Sequence, residues 1–292
     1  MMPLKARYSA AWRKEIGKST IRISLLLRYL QASWLFGAVP WHFFQLNSVY
    51  FNEDKGIFSK LDLNEHIPTR WRLQQVLYDP QRVPTTFPVF VKPEWGQNAM
   101  GIVRLDNRDE YERFADFARQ SAIPYLVQEA AMGHEEYEIY YLRSPDHPDE
   151  CAVLSVTQVI NTSCGRHPIN SIHNPATSYL DLTMSFSELE RTSLWHMLRS
   201  IGRFRMARLC LKANSRKDLL QGHFQVVEMN LFLPMPLVLL AGNVDAQRKM
   251  VLLRELMATV AQLVATIPNM QRKKAIFLRK LLAHYRIRSW NH

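Results

Sequence analysis

The sequence predicts an α+β fold, with short strands gathered in the middle of the chain and helices towards both ends. Three observations predict it. The runs "FPVFVKP", "EYEIYYLR" and "AVLSVTQVI" are rich in β-branched and aromatic residues and have the length of strands. "NRDEYERFADFARQS" instead sets Tyr111, Phe114, Ala115 and Ala118 on one helical stripe. The second and third strand-like runs follow one another with only a turn between them, as an antiparallel pair does.

Composition bounds the rest. A chain of 292 residues holds one large domain or two modest ones. Its 47% hydrophobic and 22% charged residues belong to a globular protein. A formal charge of +11 favours acidic partners such as nucleotides, nucleic acid or an anionic membrane surface. The three cysteines, Cys151, Cys164 and Cys210, form no CxxC pair and have no zinc-type spacing with histidine, which points to a reducing compartment. Lys5, Arg7, Arg13, Lys14 and Lys18 precede an apolar stretch from Ser24 to Phe44. Arg28, Gln31, Pro40 and His42 interrupt that stretch too often for a spanning helix, and it lacks the core and cleavage site of a signal peptide. The expectation is a cytoplasmic protein with a basic, membrane-touching arm.

In chain order, residues 1–86 are expected to form a helical, aromatic-rich segment carrying Trp34, Trp41, Phe43, Phe44, Tyr50 and Phe51. Within it, "IPTRWRLQQVLYDP" predicts a helix from about Thr69 to Leu77, capped by Thr69 and stopped before Pro80. A core of residues 87–240 follows. "FPVFVKP" is a strand ended by Pro93, "EWGQNAMG" a glycine loop, and "GIVRL" a returning strand. After the amphipathic helix come "PYLVQEA" as a strand, the antiparallel pair, and a helix over about Ser185 to Ser200. "RFRMARLCLKA" and "FQVVEMNLF" are two further strands, the last expected to be central. Residues 241–292 are expected to be helical and to end in the basic segment "QRKKAIFLRKLLAHYRIR", where Ile276, Phe277, Leu281 and Leu282 alternate with cations. An ordinary helix packed on the domain accounts for that pattern as well.

Chemistry enters through a few residues. Glu228 and Asn230 are two apart in a strand and so point to one side. A carboxylate and an amide oxygen together can hold Mg²⁺, while a half-exposed strand is the plainer account. Lys92 ends an apolar strand just before a flexible loop, and a buried lysine is costly unless it meets an anion such as phosphate. Gly96 and Gly101 would let backbone N–H groups approach phosphate oxygens. No GxxxxGK[ST] is present, which excludes a P-loop. Glu129, Glu135, Glu136 and Glu138 crowd one region, and at least two of them are taken as solvated. His134, His167 and His173 have no metal-ligand spacing, and Arg143 is taken as a surface arginine.

The order of these motifs resembles the ATP-grasp superfamily and, within it, the D-alanine–D-alanine-ligase-like carboxylate–amine ligases. The resemblance runs from about Phe87 to Pro236. It implies an ATP-grasp fold, two α+β subdomains clasping a nucleotide, with ATP and Mg²⁺ as cofactors. By resemblance, Lys92 would contact nucleotide phosphates and the Gly96–Gly101 loop would close over them. Gln128, Glu129 and Ala131 would form the hinge that reads adenine, and Glu136 would bind the ribose hydroxyls. Glu228 and Asn230 would be the metal ligands; Arg208 and Lys212 would be catalytic.

The chain departs from the family at two places. Cys210 stands where the family carries a metal-binding aspartate, and a thiol is a poor ligand for Mg²⁺. Residues 1–86 are too short for the usual Rossmann-like domain, and the second phosphate-contacting lysine has no obvious counterpart beyond Arg70 or Arg72. The implied activity joins a small-molecule carboxylate, such as an amino acid or peptide, to an amine through an acyl phosphate. The alternatives are a nucleotide-binding pseudo-ligase and a basic membrane- or nucleic-acid-binding protein. No nucleic-acid-binding signature is present, so no nucleic acid is expected, whereas a homodimer remains compatible with the sequence.

Overall fold

The structure, a computed structural model, describes residues 18–96, 99–163, 167–272 and 275–288. Lys5, Arg7, Arg13, Lys14 and Cys164 lie outside the described residues. The first element, α1 (Lys18–Leu35), is a helix with apolar residues on two opposite sides. Two 3₁₀ turns, Pro40–Gln45 and Ser48–Tyr50, follow it. A short helix, α2 (Lys60–Asn64), begins at Ser59, whose hydroxyl accepts from Asp62 N.

The helix expected over Thr69–Leu77 does not form. Gln75–Leu77 is a strand, β1, and runs antiparallel to β4 (Tyr125–Glu129), with Gln75 opposite Gln128 and Leu77 opposite Leu126. Tertiary contacts overrule the local helix signal here. Buried Trp71 donates its indole N–H to Gly222 O at 2.8 Å, and its carbonyl accepts from Val226 N at 2.9 Å. Both contacts tie the chain ahead of β1 to a distant strand, and β1 then continues along the edge of β4.

The first sheet has four antiparallel strands in the order β1-β4-β2-β3, with β2 at Val89–Pro93 and β3 at Val103–Leu105. The amphipathic helix α3 (Arg108–Gln120) covers one face, packing Tyr111 and Phe114 on Val89, Val91 and Val127. Asn107 caps it, and Asp109 and Glu110 complement the positive end of its dipole. Alternation along β2 and β4 leaves Phe90, Lys92, Leu126 and Gln128 on the opposite face.

The second sheet has five antiparallel strands in the order β7-β6-β5-β8-β9. They are β5 (Glu135–Arg143), β6 (Cys151–Asn161), β7 (Thr177–Asp181), β8 (Met206–Ala213) and β9 (Phe224–Asn230). The expected pair β5–β6 forms. β9 is not central as expected but lies at an edge, where an isolated bridge from Arg72 to Val226 covers part of it. One face of this sheet builds the largest core: Ile139, Tyr141, Leu209, Leu211 and Val226 meet Leu194, Trp195 and Leu198 of α4 (Glu188–Leu198). A capping box of Ser187 and Glu190 starts α4. α5 (Arg216–Leu220) follows β8.

The other face is divided. At one end Tyr140, Leu142 and Met206 are sealed by α1 and by α6 (Ala246–Ala265). The other end is polar and turns towards the first sheet. The last element, α7 (Ile276–Arg288), buries Ile276 in the main core. Arg143 is not a surface residue: it is buried and donates to the carbonyls of Phe204, Pro148, Arg199 and Gly202, which pins the turn before β8.

Candidate functional site

The polar pair in β9 depends on a bulge. Cys210 pairs with Glu228 and Leu211 with Val226, so Val227 is an extra residue without an opposite number. Upstream of it Phe224 and Val226 face the core; downstream Met229 and Leu231 do. Unbroken alternation from Phe224 would carry Glu228 and Asn230 into the core. The bulge shifts the phase by one residue and turns both side chains to the polar face. It also frees the Val227 carbonyl, which accepts from Lys92 Nζ at 3.4 Å and Gln128 Nε2 at 3.2 Å, joining the two sheets.

The register sets the neighbours. Arg208, Cys210 and Lys212 share one face of β8, with Arg208 opposite Asn230 and Cys210 opposite Glu228. On the other side β5 places Glu138 opposite Cys210 and Glu136 opposite Lys212. These residues, with Lys92, Gln128, Glu129 and Ala131, line one cavity between the sheets that encloses about 140 Å³. The loop after β6 contributes His167, Asn170 and Ile172 to its wall.

Two lysines stand at the phosphate end of the expected site. Lys92 is buried, and burial, followed by repulsion from Lys60, pushes its ammonium down to about 7. Lys60 Nζ donates to Pro93 O at 3.2 Å and lies 3.8 Å from Glu228 Oε1, and burial lowers its pKa as well. A Cβ built on Gly96 would lie 3.8 Å from Lys60 Nζ, so the glycine loop starts beside this ammonium. Gly101 packs on Pro93 and Tyr125 with φ +73° and does not line the cavity, which Ala99 and Ile102 reach instead.

Neither Arg70 nor Arg72 lines the cavity: Arg70 lies over the Trp71 ring at 4.2 Å, and Arg72 pairs with Glu65 at 2.7 Å. The cation beside Lys92 is Lys60.

The carboxylates are more deeply engaged than expected. Glu138, taken from the sequence as one of a group partly solvated, is 4% exposed. Burial pushes it up to about 7, while Arg208 Nε at 3.1 Å and the Leu237 N–H at 3.0 Å pull it back. Glu136 accepts from Asn170 Nδ2 at 2.9 Å and from the Cys210 thiol at 3.3 Å, with Lys212 Nζ 4.0 Å away. Burial raises its pKa, and Lys212 opposes the rise. The Cys210 thiol stands well above its ordinary range, through burial first and then the neighbouring Glu136, and so remains protonated. Glu129, also in the cavity wall, accepts from Gln74 N at 2.8 Å.

The turn at Ala131 is held close to the second sheet by Gly133, where any Cβ would lie 2.4 Å from Ala213 N. His134 and His173 are exposed, whereas His167 reaches the cavity wall.

Sequence reasoning missed Lys60, Glu138 and Asn170. Glu138 carried a readable signal, since Glu136 and Glu138 are spaced by two on one strand like Glu228 and Asn230. Lys60 carried none, because it comes from a short helix that only the tertiary fold brings to β9.

The donor set is compatible with one Mg²⁺: Glu228 and Asn230 offer two hard oxygens on one face, leaving room for phosphate and water. The protonated thiol of Cys210 adds no hard donor. Among the described residues no group of three or more His, Cys, Asp or Glu side chains is disposed to hold a metal ion.

No family model matches the chain. Among curated proteins it is 33% identical over 96 residues to the D-alanine–D-alanine ligases of Mycobacterium avium and Mycolicibacterium paratuberculosis, a match that covers 33% of this chain. The match spans only 25% of the length of those relatives. Among solved structures, it is similar to the D-alanine–D-alanine ligase from Bacillus anthracis, with a TM-score of 0.45 and 12% identity over 77% of this chain and 69% of that one. It is also similar to the L-amino acid ligase from Bacillus licheniformis, with a TM-score of 0.44 and 16% identity over 69% of this chain and 47% of that one. In sequence, then, the chain is D-alanine–D-alanine-ligase-like over a third of its length, the same resemblance that its motif order carries.

Proposed function

We propose that the cavity binds a nucleoside triphosphate with Mg²⁺, and that the chain is an ATP-dependent carboxylate–amine ligase. The reading is supported above all by one observation: buried Lys92 and half-buried Lys60 stand beside Glu228 and Asn230 where the two sheets meet, with Lys60 Nζ 3.8 Å from Glu228 Oε1. Cations and hard oxygen donors brought together in this way suit a metal-bound polyphosphate.

In this reading Lys60 and Lys92 would neutralise phosphate oxygens, and anion binding would restore the full charge of Lys92. The backbone from Gln128 to Ala131 would meet the base, and Glu136 the ribose hydroxyls. Glu228 and Asn230 would hold the metal, which when bound supplies charge neutralisation at the phosphates. The reaction would transfer a phosphoryl group to a carboxylate and then exchange phosphate for an amine. Arg208, held by Glu138, would balance the charge developing at the acyl carbon's oxygen, and Lys212 would assist from the same face. No nucleophilic side chain is needed. The acids and amines in question would be small molecules such as amino acids or peptides.

The test is calorimetric titration of a non-hydrolysable ATP analogue into the protein and into Lys92→Ala, with and without Mg²⁺. The expected outcome is Mg²⁺-dependent binding that weakens by about 100-fold in the variant, the scale of a lost charge-assisted contact. Absence of binding to the parent protein under both conditions would remove the reading.

Cys210 favours a second reading, a nucleotide-binding pseudo-ligase with a regulatory or scaffolding role. Its neutral thiol occupies the strand position opposite Glu228, where a further carboxylate would complete a two-metal site. Nucleotide binding without turnover over a panel of acids and amines, together with turnover gained in Cys210→Asp, would support it. ADP release by the unmodified protein would exclude it.

A further inference from the structure

We propose that the outer face of α1 is a docking surface for an anionic lipid membrane. The helix is apolar on two opposite sides. Ile21, Tyr29 and Ala32 on its inner side pack in the core shared with α6. On the outer side Ile23, Leu26, Leu27, Leu30 and Trp34 follow helical spacing and form a continuous stripe that is exposed among the described residues. Leu27 is 60% exposed and Trp34 83%. Just beyond the helix, Trp41 on the Pro40–Gln45 turn is 69% exposed. A helix with a second apolar side opposite its packed one calls for an apolar partner on that side.

Charge and residue type identify the occupant. α1 has no acidic residue, and the sequence contains none between Glu15 and Glu53. Arg22 borders the stripe, Arg28 lies further round the helix, Lys18 begins it, and Lys5, Arg7, Arg13 and Lys14 precede it in sequence. Two exposed tryptophans beside an apolar stripe with cations around it match the chemistry of a lipid interface, where indole rings sit at headgroup depth and basic side chains meet anionic headgroups. A second copy of this chain would instead bring the same cations face to face. No single helix among the described residues is long and apolar enough to cross a membrane, so the contact is one of lying on the surface. The C-terminal segment is a weaker candidate, because α7 buries Ile276 in the core and encloses Lys280 among aromatic rings. The inference is independent of the nucleotide site.

Flotation of the full chain with phosphatidylcholine vesicles, with and without phosphatidylserine, tests it. Binding to the anionic vesicles, a blue shift of tryptophan emission and release by added salt are expected. Leu27→Glu and Trp34→Ser change exposed residues and should keep the parent's melting temperature while weakening binding by about tenfold or more each. Arg22→Glu with Arg28→Glu should remove the preference for anionic lipid. The proposal is overturned if neither vesicle is bound, if both are bound equally, or if the stripe variants bind like the parent. A lipid-free dimer that Leu27→Glu dissolves would also overturn it, in favour of self-association.

Discussion

Lys280 sits 6% exposed between aromatic rings, with its ammonium 4.4 Å from the centre of Phe232 and 4.7 Å from that of Trp95. Burial, and then repulsion from Lys60, pushes it down to about 7. Between that value and the ordinary lysine range, the unfolded chain holds a proton that the folded chain has released, so stability rises with pH across this window. Below it both states are charged, and the full cost of burying the charge is felt. Lys280→Met should therefore melt a few °C higher than the parent at pH 7 and lose part of the rise between pH 7 and 10, with Lys92 and Lys60 still contributing to it. Melting curves taken over that range check the slope, and an unchanged slope would rule out the assigned titration. At this scale much of the site was legible in advance. Lys92, Glu228 and Asn230 stood out because a charged or amide side chain inside an apolar strand demands a reason. Glu138 was passed over as one of four crowded glutamates, at least two of them taken as solvated. Its burial comes from Arg208 and Leu237, distant in sequence, which no local pattern reveals.

Elements were legible where a period could run its course. The strands β2 to β6 and the helix α3 follow from alternation or helical spacing over several residues, and α3 also carries its cap and first-turn acids. β7 and α5 were not read, because neither carries an apolar run or stripe of its own: β7 is TSYLD and α5 RKDLL. β1 was misread because a cap-like Thr69 and a stopping Pro80 framed a short apolar run whose outcome a distant sheet decides. A polar side chain does comparable work between elements: buried Asn47 donates to Met206 O at 2.7 Å and Leu231 O at 2.9 Å, and accepts from Arg205 N at 3.0 Å. It thereby fastens the N-terminal turns to the ends of β8 and β9. Asn47→Ala would strand these backbone groups without partners and should cost about 3 kcal/mol in chemical denaturation. A loss well below 1 kcal/mol would mean that water replaces the amide.

For the whole molecule, the resemblance implied two sheets facing one cleft, and two antiparallel sheets joined at the Val227 carbonyl form such a cleft. What the sequence did not convey is where the terminal segments pack. α7 brings Ile276 into the main core and Lys280 over Phe58, Trp95 and Phe232, next to the start of the glycine loop. A chain ending at Arg272 should lose the roughly 2–5 kcal/mol typical of removing a buried aliphatic side chain. Limited proteolysis should then cut first near residues 96–101, and a cleavage pattern like that of the full chain would show that α7 is dispensable. The bulge at Val227 has a different kind of consequence. It makes the site depend on how many residues lie between Phe224 and Glu228 as well as on which they are. The Val227 side chain can be exchanged for isoleucine or threonine, since only its carbonyl is used. Deleting it would make the ladder regular and keep Glu228 opposite Cys210, but would remove the carbonyl to which Lys92 and Gln128 donate. This position should therefore accept substitution, whereas its loss should uncouple the two sheets at the site.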